Sequence, residues 1–176
     1  QAKVKGLFQW YVAMLNSALM TEVPFMFVEG KSTYDGHRNA AGQMEGRGRL
    51  WCTNGNVYEG EFKADMMEGC GTLSSNNGDV YEGEFKANRP DGHGKCTFAN
   101  GSTFEGVWKG ATGQGHGTYT FSNGDVYRGV FNRNKPEGRG TMMYTSGDVY
   151  EGEFKAGMPK ECIKLMFAED RVEIQQ

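Results

Sequence analysis

Three histidines and four cysteines are the side chains of this chain best suited to nucleophilic, acid–base or metal chemistry. Their spacing speaks against it. His93 and His116 occupy the same position of a recurring pattern, as do Arg47, Cys70 and Arg139. If that pattern is built of strands, equivalent residues two strands apart are about 10 Å apart, too far for two imidazoles to share a metal unless the sheet bends. His37 has no evident partner. Cys52, Cys70, Cys96 and Cys162 are scattered unevenly, matching neither a CxxC metal pattern nor a compact disulfide framework. They read as reduced thiols, and hence an intracellular compartment. No Cys/His pair is set by local sequence as nucleophile and base. The glycine motifs lack a following Lys-Ser/Thr, so they are not phosphate loops. The expectation is no catalytic residue, no metal site and no cofactor.

Composition then frames the elements that must carry these residues. Glycine, at 27 of 176 residues, is about twice its usual share of roughly 7%. With only 4 prolines and no Gly-X-Y period the chain is not collagen-like, and 12% aromatic residues at regular positions argue against disorder. Glycine and aromatics rising together suggest sheet with many tight turns. A formal net charge of −3 and a pI near 5.7 lack the electrostatic footprint of a nucleic-acid binder. Gln1 in place of a starting Met reads as a processed or trimmed product, which leaves a removed targeting segment open.

A repeat dominates the middle of the chain. Tyr58-Glu59-Gly60-Glu61-Phe62 is followed at constant spacing by segments starting at Tyr81, Phe104, Tyr127 and Tyr150, with Phe85, Trp108, Phe131 and Phe154 in the place of Phe62. Gly69-Cys70-Gly71, Gly92-His93-Gly94, Gly115-His116-Gly117 and Gly138-Arg139-Gly140 follow at a constant offset. Tyr34-Asp35-Gly36 and Gly46-Arg47-Gly48 begin a sixth, irregular copy in which Arg38 replaces the phenylalanine. At the far end Glu161-Cys162-Ile163 replaces the Gly-x-Gly. Atypical ends are what a stacked array needs.

These motifs resemble the MORN (membrane occupation and recognition nexus) repeat, Tyr-x-Gly-x-Phe followed by Gly-x-Gly, over about residues 33–160. The resemblance implies a mainly β fold, an elongated single-layer antiparallel array in which each repeat is one hairpin. It also implies binding to helical peptides, self-association, and a place in cytoskeletal, ciliary or membrane-contact assemblies.

The residues point the same way. Asn54-Gly55, Asn77-Gly78, Asn100-Gly101, Asn123-Gly124 and Ser146-Gly147 stand between repeats, and Asn-Gly predicts a two-residue type I′ turn. Strand parity places Tyr58, Phe62, Tyr81, Phe85, Phe104, Trp108, Tyr127, Phe131, Tyr150 and Phe154 on one face, and the Glu and Lys columns on the other. Repeated Glu beside repeated Lys reads as a solvated face rather than paired catalytic carboxylates or a Ca²⁺ site. A single layer leaves the aromatic strip partly uncovered, and such strips mark contact sites. Those ten residues are therefore the expected partner-binding set.

The chain divides into 1–32, an amphipathic helix (residues 4–19) with a lead-in strand; 33–160, the array; and 161–176, a capping strand or hairpin. Leu7, Phe8, Tyr11 and Leu15 would dock the helix on protein. The leading functional expectation is a non-catalytic scaffold that receives an apolar helix on the aromatic face, within a multi-subunit assembly at a cytoskeleton, cilium or membrane periphery, with a homo-oligomer left open. The alternatives are a peripheral phospholipid-binding module, against which the absence of a basic run argues, and the repeat region of a larger enzyme.

Overall fold

The computed structural model describes residues 32–167. These form twelve strands: β1 (Thr33–Arg38), β2 (Met44–Trp51), β3 (Val57–Lys63), β4 (Met66–Ser74), β5 (Val80–Lys86), β6 (Arg89–Thr97), β7 (Thr103–Lys109), β8 (Thr112–Thr120), β9 (Val126–Asn132), β10 (Lys135–Met143), β11 (Val149–Lys155) and β12 (Met158–Met166). All belong to one antiparallel sheet in sequence order, a meander whose stability is a nearest-neighbour property. The expected helix, with Leu7, Phe8, Tyr11 and Leu15, lies outside the described residues, as do the lead-in strand and Val172 and Ile174.

The turns differ from expectation. In the Asn-Gly loops Gly55 has φ 87° while Asn54 is not among the positive-φ residues, Gly55 N–H donates to Cys52 O and Cys52 N–H to Asn56 O. This is a type I turn closed by a left-handed glycine, not type I′. The two-residue type I′ turns sit inside the repeats instead, at Ala64-Asp65 (φ 49° and 67°), Ala87-Asn88 (47° and 67°), Gly110-Ala111 and Arg133-Asn134. An alanine there is strained. Lateral bonds from the preceding repeat hold it: Ala64 N–H donates to Glu45 Oε2 at 3.0 Å, and Ala87 N–H to Glu68 Oε2 at 3.0 Å.

The opposite margin is stitched in the same manner. Asn76 N–H donates to Asn56 Oδ1, Ala99 N–H to Asp79 Oδ1, Ser122 N–H to Ser102 Oγ and Thr145 N–H to Asp125 Oδ1, at 2.8–3.1 Å. Asn56, Ser102 and Asp125 are accordingly buried polar residues with a partner. Each repeat thus orders the loop of the next.

Glycines form a continuous ladder across the sheet: Gly36, Gly48, Gly60, Gly71, Gly83, Gly94, Gly106, Gly117, Gly129, Gly140 and Gly152 pair in turn, and the ladder ends where Gly152 meets Cys162. A Cβ on Gly71 or Gly94 would collide with the ring of Tyr58 or Tyr81 respectively. The tyrosine lies flat over the bare backbone, and its hydroxyl donates to a carbonyl three residues on, Tyr58 to Glu61 O and Tyr81 to Glu84 O, each at 3.0 Å. The ladder exists to admit those rings.

Candidate functional site

The ten aromatic residues expected to meet a partner share one face, and they meet one another. Tyr58 touches Phe62 and Phe85, Tyr81 touches Phe85 and Trp108, Phe104 touches Trp108 and Phe131, Tyr127 touches Phe131 and Phe154, and Tyr150 touches Phe154. Every contact is edge-to-face with centroids 4.8–5.6 Å apart, the geometry aromatic quadrupoles favour. Tyr34 continues the zipper onto Phe62, and Arg38, standing where a phenylalanine is expected, lies 5.0 Å from the Tyr34 ring as a cation–π partner. All ten side chains are at most 5% exposed. The aromatic strip expected to be partly uncovered is thus buried, its rings packed laterally on one another, with Leu50, Leu73, Cys96, Met142, Phe98 and Phe121 buried alongside. Leu165, at 48% exposed on the last strand, is the large apolar side chain this face presents to solvent among the described residues.

The opposite face is concave and polar along the glycine ladder. One hollow is lined by Asp35, Arg47, Arg49, Glu59, Cys70 and Thr72; a second is lined by His93, Lys95, Glu105, His116, Thr118 and Arg128. They share Glu82 and Gly83, so the two form one trough floored by glycine backbone. His93 and His116 are exposed wall residues, and among the described residues no group of three or more His, Cys, Asp and Glu is placed to hold a metal ion. Arg49 pairs with Glu59 at 3.7 Å and lies over the Trp51 ring, 5.0 Å to the centroid. Arg139 pairs with Glu153 at 3.4 Å. These are solvated pairs that add little stability.

Beside the trough runs a row that sequence reasoning missed. Trp51 pairs with Val57, Val57 with Ser74, Ser74 with Val80, Val80 with Thr97, Thr97 with Thr103, Thr103 with Thr120, Thr120 with Val126, Val126 with Met143, Met143 with Val149 and Val149 with Met166. The residue one place before each Tyr shares the face of the glutamates, so Val57, Val80, Val126 and Val149 stand in line there. They are half-buried, and Trp51 is 37% exposed. The signal was a valine at fixed phase in four of the five regular repeats, with Thr103 in the other, hidden among charged neighbours.

The two thiols on the ring side, Cys52 and Cys96, give little ground for nucleophilic chemistry. Burial pushes the Cys96 thiol far above its ordinary value and raises that of Cys52, which keeps both protonated and unreactive. No helix among the described residues is long and apolar enough to cross a membrane.

A family model described as the MORN repeat matches residues 40–57, 58–80, 81–103, 104–126, 127–149 and 150–160. From the second segment on, these boundaries fall on the ring that opens each repeat, Tyr58, Tyr81, Phe104, Tyr127 and Tyr150. No curated protein matches the chain. Among solved structures, the SAS-4 (dCPAP) TCP domain of Drosophila melanogaster, in complex with a proline-rich motif of Ana2 (dSTIL), matches at 19% identity with a TM-score of 0.28, covering 68% of this chain and 77% of that one. The TCP10 domain of Danio rerio CPAP, in complex with a peptide of Danio rerio STIL, matches at 20% identity and a TM-score of 0.28, covering 68% of this chain and 64% of that one. At these values neither likeness carries an argument about function.

Proposed function

The chain belongs to the MORN repeat family, and from that premise we propose that it is a non-catalytic scaffold that holds a helical segment of a protein partner in the trough of its sheet. The observation that carries this reading is the division of labour between the two faces. The ten rings are buried and engaged with one another from hairpin to hairpin, which supports reading them as the frame of the sheet. A trough floored by glycines lies on the other side, with charged Arg47, Lys95, Glu105 and Arg128 along it and a row of exposed Trp51 and half-buried Val80, Val126 and Met143 at its margin. An apolar stripe beside charges of both signs fits an amphipathic helix, whose own stripe and flanking charges repeat in the same order. The same reading places the chain in a cytoskeletal or membrane-peripheral assembly inside the cell, as the family resemblance implies.

The test is capture of partners from native extract by the full chain and by Val80→Arg/Val126→Arg. The double variant should weaken capture by about tenfold or more, as loss of a central apolar contact does, with the circular-dichroism sheet signal unchanged. Ser75→Arg, on the ring side, should leave capture intact. Loss with Ser75→Arg alone would return the contact to the aromatic face. Co-sedimentation with anionic vesicles as strong as protein capture would instead favour a lipid-binding module, which the mixed charge of the trough opposes.

A further inference from the structure

Four Asn-Gly pairs occupy equivalent loops, and the structure does not hold them equally. In each, the residue two after the asparagine donates its N–H to the asparagine Oδ1: Asn56 to Asn54, Asp79 to Asn77, Ser102 to Asn100 and Asp125 to Asn123. At Asn77 and Asn123 a second bond closes the clamp, Nδ2 donating to Asp79 Oδ2 at 2.9 Å and to Asp125 Oδ2 at 2.8 Å. Asn54 is restrained from another direction, because Asn76 Nδ2 donates to its carbonyl oxygen at 2.6 Å. The glycines differ too. A Cβ on Gly55, Gly78 or Gly124 would meet Asn76, Ala99 or Thr145 of the next loop, at 2.9–3.2 Å, whereas one on Gly101 meets nothing within 4 Å.

We propose that Asn100 is a self-modification site of this protein, the position at which the folded chain deamidates first. In this reaction the backbone nitrogen of Gly101 gives up its proton and bonds to Cγ of Asn100. Ammonia leaves, carrying the side-chain nitrogen. Water then opens the resulting succinimide at either carbonyl, leaving aspartate or isoaspartate. The step needs the carboxamide to swing until Cγ faces the glycine nitrogen, and the Asn100–Gly101 peptide unit to rotate. At Asn77 and Asn123 the carboxamide is fixed at both ends, and the adjacent carboxylate opposes both the amide anion and the developing oxyanion. At Asn100 the neighbour is neutral Ser102, which leaves the side-chain Nδ2 without a clamp of this kind, and the glycine stands in open space. Asn100 is exposed while Asn54 is half-buried, which puts Asn54 second. The product adds a negative charge to this loop margin, and isoaspartate lengthens the backbone of the β6–β7 loop by one methylene.

The experiment is incubation of the full folded chain in mildly alkaline buffer at body temperature, with peptide mapping by mass spectrometry that separates aspartate from isoaspartate. Asn100 should convert several-fold faster than Asn77 and Asn123, and the four rates should converge in denaturant, where only the shared Asn-Gly sequence matters. Ser102→Asp should slow Asn100 towards the rate of Asn77, and Asp125→Ser should speed Asn123. Conversion of Asn77 or Asn123 as fast as Asn100 in the folded chain would overturn the assignment. A folded chain whose four rates keep the order seen in denaturant would do so as well.

Discussion

Met67 donates its backbone N–H to Asn88 Oδ1 at 2.7 Å, across a separation of twenty-one residues, and the same bond joins Met44 to Asp65 and Gly113 to Asn134. Where the strand residue is Pro90, which has no N–H, the turn position carries Ala111, which has no acceptor; where it is Pro136, the turn carries Gly157. Donor and acceptor come and go together within one chain. Asn88→Ala should therefore cost about 1–3 kcal/mol, because it leaves the Met67 amide unpaired and puts alanine at φ 67°. In the Met67→Pro background, which copies the Pro90–Ala111 pair, the same change should cost clearly less. Urea unfolding of the four-member cycle measures this, and additive losses would remove the lateral bond from the account.

The glycine ladder makes a steric prediction that conformational freedom alone does not. Gly94 lies under the Tyr81 ring without a positive φ, whereas Gly110 has φ 57° and open space around its Cα. Gly94→Ala should cost about 3 kcal/mol or more, since neither backbone nor ring can move aside. Gly110→Ala should cost about 1–2 kcal/mol, the penalty of a left-handed L-residue. Similar unfolding midpoints for the two variants would mean that the ladder is not a seat for the rings.

Alkali should unfold the array. Burial, with neighbouring carboxylates adding to it, raises the Tyr58, Tyr81 and Tyr127 hydroxyls well above their ordinary value, against the lowering effect of the Tyr58 bond to Glu61 O, and pushes Tyr144 up to about 12. The hydroxyl of Tyr144 is buried with no hydrogen-bond partner among the described residues. A raised folded-state value means the unfolded chain loses its protons first. The stability these groups lend is complete below about pH 10, the unfolded tyrosine value, and is lost as pH climbs from there through the folded values. Tyr81→Phe, which copies Phe104, should lose about 1 kcal/mol at neutral pH with its bond to Glu84 O, yet decline less steeply in alkali. Parallel pH profiles for the two proteins would count against buried tyrosine titration.

Much of this was legible in the residues. The parity of Tyr58 and Phe62 puts both rings on one face, and the recurring Tyr-x-Gly-x-Phe gives the meander. The exposure of that face was not legible, because Phe85 covers Tyr58 only once two hairpins lie side by side. The turns were misassigned for a related reason: Asn-Gly suits type I′ and a type I turn with a left-handed glycine alike. Ala64-Asp65 gives no local sign of the turn it forms, since its support comes from Glu45 and Met44 in the preceding repeat. Val80 and Val126 passed unnoticed because each is one apolar residue among polar ones until the register aligns them.

The claim that the glycine-floored face, and not the ring face, receives the partner is tested most directly by photo-crosslinking. A photoreactive amino acid is placed at Thr97, exposed on the valine row, or at Ser75, half-buried on the ring side, and each chain is irradiated in native extract. The account predicts protein adducts from position 97, suppressed by Val80→Arg/Val126→Arg, and few from position 75. Adducts concentrated at position 75, or none at position 97 while the same extract still yields captured partners, would contradict it.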